Sequence, residues 1–209
     1  MTDREQGTPD TVVFDLGGVL IDWNPRYLYR KLFAADEAGM ERFLAEVCNG
    51  DWNEQQDAGR PFADAVALLV ARHPDLRPLI EAYDRRWPEM LGGPIDGTVA
   101  LLGELKAIGR PLYALTNWSA EKFPIARERY GFLGWFQGIL VSGEERMKKP
   151  DPAIFRLMAA RFGLAPGRTV YIDDAPHNVA AADALGFRAL RFTGPERLRL
   201  DLAELGLIS

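Results

Sequence analysis

The residues of this chain best placed to do chemistry follow short apolar runs. Asp15 ends the run Thr11-Val12-Val13-Phe14 and opens Asp15-Leu16-Gly17-Gly18-Val19; Thr116-Asn117-Trp118-Ser119 follows a second run, Ser142-Gly143 a third and Asp173-Asp174 a fourth. Singly, most have ordinary explanations. Asp15 could simply end a strand, Thr116 and Asn117 suit turns and helix caps, and Lys149, at the end of the charged stretch 144–149, could belong to a solvated face. The adjacent carboxylates of Asp173 and Asp174 are harder to explain, because they repel each other and call for a compensating cation. Together the set matches the needs of phosphoryl transfer through an aspartyl-phosphate. Asp15 could attack phosphorus in line. Its charge would be repelled by a phosphate dianion unless a divalent cation and Lys149 neutralised the site, since catalysis of this reaction is largely positioning and electrostatics. Asp15 and Asp174 offer hard oxygen ligands to a magnesium ion that keeps several waters. Gly17 would let the backbone turn sharply, so that its carbonyl could be a third protein ligand and nearby amides could hold phosphate oxygens.

These residues need elements to hold them. Strands are expected over residues 11–14, 111–115, 137–141, 169–172 and 188–192, each short, mostly β-branched or aromatic, and bounded by Gly, Pro or polar residues. Their near-continuous apolarity implies burial on both faces, as in a parallel sheet. Leu101, Leu105 and Ile108 share one helical stripe, and Ile154, Leu157, Met158 and Phe162 another. The second helix has readable ends in Asp151, Pro152 and Gly163; the next begins near Asn178 and ends at Gly186. This alternation predicts an α/β fold, a doubly wound parallel sheet whose ligands bind beyond the carboxyl ends of the strands.

Residues 23–93 break the pattern, with four helical periodicities at 25–33, 37–47, 62–72 and 76–87 and no convincing strand. They are expected to form a helical insertion that leaves after the first strand, returns through a flexible 91–94 segment and lies over the sheet as a lid; the alternative is that they extend the core. The first reading divides the chain into a core of residues 1–22 and 94–209 and a cap of residues 23–93. Composition narrows the partners. With 25 Lys+Arg against 30 Asp+Glu, a net charge of −5 and no long basic cluster, nucleic-acid and anionic-membrane partners are not expected. A single cysteine, Cys48, cannot form an internal disulfide, and residues 1–10 are polar, with no signal-peptide core there and no membrane-length apolar run later. A cytoplasmic protein acting on a small molecule is expected.

On its motifs the chain resembles the haloacid dehalogenase (HAD) superfamily of aspartate-nucleophile hydrolases. Phe14-Asp15-Leu16-Gly17-Gly18-Val19-Leu20 is similar to the first motif of that family, Leu115-Thr116-Asn117 to the second, Lys149-Pro150-Asp151-Pro152 with Ile154-Phe155 to the third, and Ile172-Asp173-Asp174 with Asn178 to the fourth. The likeness spans essentially the whole length. It implies a Rossmann-like core with a small helical cap inserted after the first strand. It also implies roles: Asp15 as nucleophile and magnesium ligand, Thr116 and the Asn117 backbone as phosphate contacts, Lys149 as charge neutraliser, Asp174 as metal ligand, and Asp173 as a partner of the metal through water. Small phosphatases of the sugar-1-phosphate type, and the phosphatase domain attached to epoxide hydrolases, look most similar.

One departure stands out. Most phosphatases of the family carry a general acid/base aspartate two residues after the nucleophile, where this chain has Gly17. A missing acid costs about 10² to 10⁴ in rate when the leaving oxygen needs a proton, so aryl phosphates and sugar 1-phosphates are expected to be preferred over simple alkyl phosphates. Asp22 and His177 are the nearby residues that could compensate, although a hinge position and a first helical turn explain them as well. Trp23 and Trp118 could wall the substrate or pack core against cap. Asn53, Gln56, Asp57 and Arg60 fall in a polar cap loop, where such families place specificity residues; His73 needs no function. Two other activities fit the same motifs. A 2-haloacid dehalogenase would use the same aspartate without a metal, but the Asp173-Asp174 pair is poorly suited to a carboxylate substrate; a non-catalytic phosphate-binding relative would keep the site without turnover.

Overall fold

Side chains alternate across β1 (Thr11–Phe14), so Val12 and Phe14 point to one face of the sheet and Val13 to the other, and all three are fully buried. This two-sided burial is what the continuous apolar runs anticipate. In the computed structural model, which describes residues 8–208, β1 is the centre of a five-stranded sheet. The expectation of a polar stretch over residues 1–10 falls mostly outside the described residues.

Besides β1 the sheet contains β4 (Leu112–Thr116), β5 (Gly138–Val141), β6 (Thr169–Asp173) and β7 (Arg188–Arg191), all parallel and ordered β5-β4-β1-β6-β7. Each lies within a residue of its expected range. From β1 the chain winds outward through β4 to β5, then returns to the other side of β1 as β6. The winding reverses between β1 and β6, which opens a crevice at their carboxyl ends.

Helices cover both faces. Leu101, Leu102 and Leu105 of α6 (Asp96–Ala107) and Leu198 and Leu202 of α11 (Pro195–Glu204) share a core with Val12 and Phe14. On the opposite face Ile154, Phe155 and Met158 of α9 (Pro152–Phe162) and Ala182 of α10 (Pro176–Ala184) pack with Val13 and Tyr171. The expected ends of α9 are found: Asp151 accepts the Ala153 amide at 2.8 Å and Gly163 is left-handed. Ile108 departs from the expected stripe, because α6 stops at Ala107 and leaves Ile108 58% exposed. Two short helices, α7 (Phe123–Arg129) and α8 (Ser142–Glu145), follow β4 and β5.

The insertion is helical, with two corrections. It holds five α-helices rather than four: α1 (Arg26–Phe33), α2 (Glu37–Glu46), α3 (Gly50–Asp57), α4 (Phe62–Arg72) and α5 (Arg77–Arg85). The added one, α3, occupies what reads as a polar loop, with Asn49 capping it through the Trp52 amide at 2.8 Å. The return segment is not a flexible linker. Leu91–Pro94 is strand β3, paired antiparallel with β2 (Ile21–Trp23). An aromatic core holds the insertion together, with Tyr29 and Phe43 at 5.0 Å and Trp52 and Tyr83 edge to face at 4.9 Å between ring centroids. Among the described residues no helix is long and apolar enough to cross a membrane.

Candidate active site

The crevice between β1 and β6 collects the carboxylates. Asp15 follows β1, its amide bonded to the Ile172 carbonyl at 2.8 Å, while Asp173 ends β6 and Asp174 follows it. One carboxylate oxygen from each of the three lies within 4.8 Å of the others. Like charges this close require a cation, and Lys149 supplies one. Its ammonium is fully buried, 2.9 Å from Asp15 Oδ2 and 2.7 Å from Asp173 Oδ2, and it donates to the Leu115 carbonyl at 3.1 Å. Asn117 sets its backbone: the Asn117 side chain donates to the Lys149 carbonyl at 3.0 Å and accepts the Lys149 amide at 2.8 Å. The Asn117 side chain is thereby held against the Lys149 backbone.

Burial decides the electrostatics. It raises the Asp15 carboxyl from 3.8 to about 7, against the pull of the Lys149 charge and with the push of Asp173. Burial alone would lower Lys149, but the Asp15 and Asp173 charges outweigh it and hold the ammonium above its ordinary value. Burial would likewise raise Asp173, yet the Lys149 charge and hydrogen bonds bring it below the usual range. Asp174, exposed at the rim, is raised first by partial desolvation and then by the Asp173 charge.

The three carboxylates are not equivalent. Asp173 is saturated, accepting from Tyr171 Oη at 2.5 Å, the Ala175 amide at 2.8 Å and Asn178 Nδ2 at 3.1 Å as well as Lys149. Asp15 keeps open lone pairs beyond Lys149 and the Leu16 amide at 2.7 Å, and Asp174 is exposed at the mouth of the crevice. Both line a cavity of about 260 Å³ with Gly17, Gly18 and Asn117. The sharp turn expected of Gly17 belongs instead to Gly18, whose φ of +74° is left-handed and where a Cβ would lie 2.6 Å from Asp174 Oδ2. At Gly17 a Cβ would meet nothing within 4 Å. Thr116 Oγ1 is buried without a hydrogen-bond partner, an unmet need for a polar ligand at the end of β4.

The far wall of the cavity is apolar, built from Trp23, Phe62, Trp87 and Trp118. Trp87 and Trp118 pack at 5.6 Å across the junction of insertion and core. Asn53, Asp57 and Ser119 add polar groups. Of the other sequence candidates, Gln56 is buried and accepts from Arg60 Nε at 2.8 Å, so these two brace the end of α3 rather than line this cavity. Asp22 accepts from the Tyr27 hydroxyl at 2.5 Å in the hinge. His177 is exposed on a neighbouring cavity that Asp15 and Asp174 also line, and His73 lies at a separate depression on the insertion. Phe62 and Trp87 were missed from sequence because an apolar residue in a helical insertion looks the same whether it lines a cavity or fills a core.

A family model described as haloacid dehalogenase-like hydrolase matches residues 9–186. The chain belongs to that family. This HAD-like hydrolase is 28% identical over 193 residues to the sesquiterpene phosphatase astK of Aspergillus oryzae, covering 92% of this chain and 94% of the relative. It is 27% identical over 208 residues to the phosphoglycolate phosphatase of Escherichia coli K12, covering 87% and 80%. Among solved structures, a HAD family enzyme of Bacteroides thetaiotaomicron, in complex with magnesium and inorganic phosphate, superposes with a TM-score of 0.67 at 22% identity, covering 89% of this chain and 95% of that one.

Proposed function

We propose that this HAD-like hydrolase is a magnesium-dependent phosphatase that cleaves a small phosphate monoester through an aspartyl-phosphate on Asp15, with residues 23–93 as cap. The observation that carries the reading is the buried Asp15–Lys149–Asp173 set beside the unpartnered Thr116 hydroxyl. Asp15 has an oxygen free for attack, Thr116 Oγ and the amides following it can hold the phosphate, and Lys149 offsets its charge. The donor set is all hard oxygen, which suits magnesium, and Asp15, Asp174 and the Gly17 carbonyl would hold the ion while Asp173 keeps Lys149 in place. Bound there, magnesium would neutralise phosphate charge and fix the phosphoryl group in line with Asp15. Both named relatives are phosphatases, and a fold neighbour carries magnesium and phosphate.

The organic half of the ester would lie against Trp23, Phe62, Trp87 and Trp118. Such a wall suits an aromatic or hydrocarbon group, with Asn53, Asp57 and Ser119 left to pair the few polar atoms of the organic half. A terpenoid phosphate, the class named for the Aspergillus relative, has an organic half of this kind. The test is hydrolysis of a panel of aryl, terpenyl and sugar phosphates with magnesium. Turnover is expected to favour the apolar esters and to vanish with chelator and in Asp15→Asn. Turnover in chelator, or in Asp15→Asn, would refute the mechanism, and halide release from chloroacetate by the wild-type protein in chelator would establish a dehalogenase instead.

A further inference from the structure

Gly17 leaves two proton transfers without an obvious agent, one to the departing oxygen and one from the attacking water. Asp22 is engaged by Tyr27 in the hinge, and His177 lies outside the tryptophan-lined cavity. Asp57 lines both cavities that Asp15, Asn117 and Asp174 share, whereas His177 lines only one of them, and it is the last residue of α3, where the helix dipole disfavours a negative charge. Among the described residues no salt bridge neutralises it, since Lys148 goes to Glu54 at 2.8 Å and Lys149 to Asp15 and Asp173.

Its position is nonetheless fixed to the phosphate side of the site. The Asp57 carboxylate accepts from Asn53 Nδ2 at 3.1 Å and is approached by the Ser119 amide, two residues beyond Asn117. Its carbonyl accepts from Ser142 Oγ at 2.5 Å, and Ser142 Oγ in turn accepts the Trp118 amide at 2.9 Å. Ser142, just past β5, thus ties the end of a cap helix to the loop that follows Thr116.

We propose that Asp57, supplied by the cap, is the catalytic acid and base that Gly17 cannot be. The proposal rests on the phosphatase reading. In the first step an Asp15 oxygen bonds to phosphorus, the bond from phosphorus to the organic oxygen breaks, and the Asp57 proton passes to that oxygen, releasing an alcohol. In the second, a water oxygen bonds to phosphorus as one of its protons passes to Asp57 and the bond to Asp15 breaks, which frees phosphate and restores both carboxyl groups. The charged and titratable groups facing Asp57 are Glu54 on its own helix, Lys148 and Lys149 from the loop before α9, Tyr83 from α5 and, across the shared cavity, Asp15 and Asp174. Burial first, and then Glu54, raise its carboxyl from 3.8 to about 7 against Lys148, so both forms are available near neutrality.

Rapid-quench measurement with magnesium separates this role from a structural one. The substrates are para-nitrophenyl phosphate, whose leaving group needs no proton, and phenethyl phosphate, whose leaving group does. Asp57→Asn is expected to keep the nitrophenyl burst but slow its steady state, and to slow the phenethyl burst by about 10² to 10⁴. Asp57→Glu, and Gly17→Asp added to Asp57→Asn, should each regain at least tenfold of the phenethyl burst, the latter because space at Gly17 is open. Equal slowing of both bursts in Asp57→Asn, or no regain in either rescue variant, overturns the role of Asp57. Wild-type protein inert to both esters overturns the phosphatase reading itself.

Discussion

Lys149 is one buried cation serving two buried carboxylates, so its removal should cost far more than a surface charge. Deleting one member of a buried charge set typically costs about 3–5 kcal/mol, because the partners remain buried and uncompensated. Lys149→Met is therefore expected to lower the urea midpoint strongly at neutral pH, alongside loss of activity, and less at acid pH where Asp15 is protonated in either protein. Asp57 behaves in the opposite sense. Its folded value of about 7 lies above the ordinary 3.8, so between those pH values the unfolded chain has released a proton that the folded chain holds. Stability from this group is complete below about 3.8 and lost as pH rises through 7. Asp57→Asn should thus melt higher than wild type at pH 8 by more than at pH 5, as differential scanning calorimetry at the two pH values would show; a constant offset would contradict it. The clustered carboxylates Asp15, Asp173 and Asp174 were legible because residue type and place at a strand end agree. Asp57 was only one of four polar residues in an apparent loop, since nothing local tells a carboxylate that lines a cavity from a solvated one.

At the scale of elements, legibility followed burial. The inner strands β1, β4 and β6 are apolar and buried on both faces, and their sequence pattern cannot mean a solvated segment, whereas the edge strand β7, Arg188-Ala189-Leu190-Arg191, is only partly buried and departs from the expected two-sided burial. Helix α3, Gly-Asp-Trp-Asn-Glu-Gln-Gln-Asp, has one apolar residue, Trp52, and no stripe to reveal it. The β2–β3 pair was hidden because Leu91-Gly92-Gly93-Pro94 has the composition of a linker, although close packing demands it: a Cβ on Gly92 would lie 2.3 Å from Asp22 Oδ2 and 2.7 Å from Tyr27. Gly143 is subject to a stricter version of the same constraint. A Cβ there would lie 2.5 Å from the Ala120 nitrogen and 2.8 Å from the Trp118 oxygen, both backbone atoms of the loop after β4. Side chains can rotate away, but this backbone cannot move without displacing the amides proposed to hold phosphate. Gly143→Ala is accordingly expected to cost about 1–3 kcal/mol in stability. It should also raise KM for any phosphate ester, whereas Gly134→Ala, where a Cβ meets nothing within 4 Å, should leave KM unchanged.

For the whole molecule the question is what holds the cap over the crevice. Among the described residues two salt bridges cross the junction, in different surroundings. Lys148 pairs with Glu54 at 2.8 Å, with side chains 32% and 50% exposed; Lys122 pairs with Asp84 of α5, with side chains 12% and 30% exposed. Lys122 also donates to the Asp84 carbonyl at 3.2 Å and sits 4.6 Å from the ring centre of Phe62, one wall of the cavity. Next to it, Glu121 accepts the Phe62 amide at 3.0 Å. Solvent weakens the first pair to about 0–1 kcal/mol, while hydrogen bonds to a charged, mostly buried group are worth about 1.5–3 kcal/mol. The cap should accordingly be latched through Lys122. Lys122→Met keeps an apolar stem against Phe62 but loses the charge, and kcat/KM for an apolar phosphate ester is expected to fall about tenfold, the equivalent of about 1.4 kcal/mol. Glu54→Gln is expected to change it less than twofold. Hydrogen exchange in the Lys122 variant should quicken across α4 and α5 while the core strands keep their protection. If exchange quickened equally in cap and core, Lys122 would be stabilising the whole fold rather than closing the cap, and the distinction between the two latches would be lost.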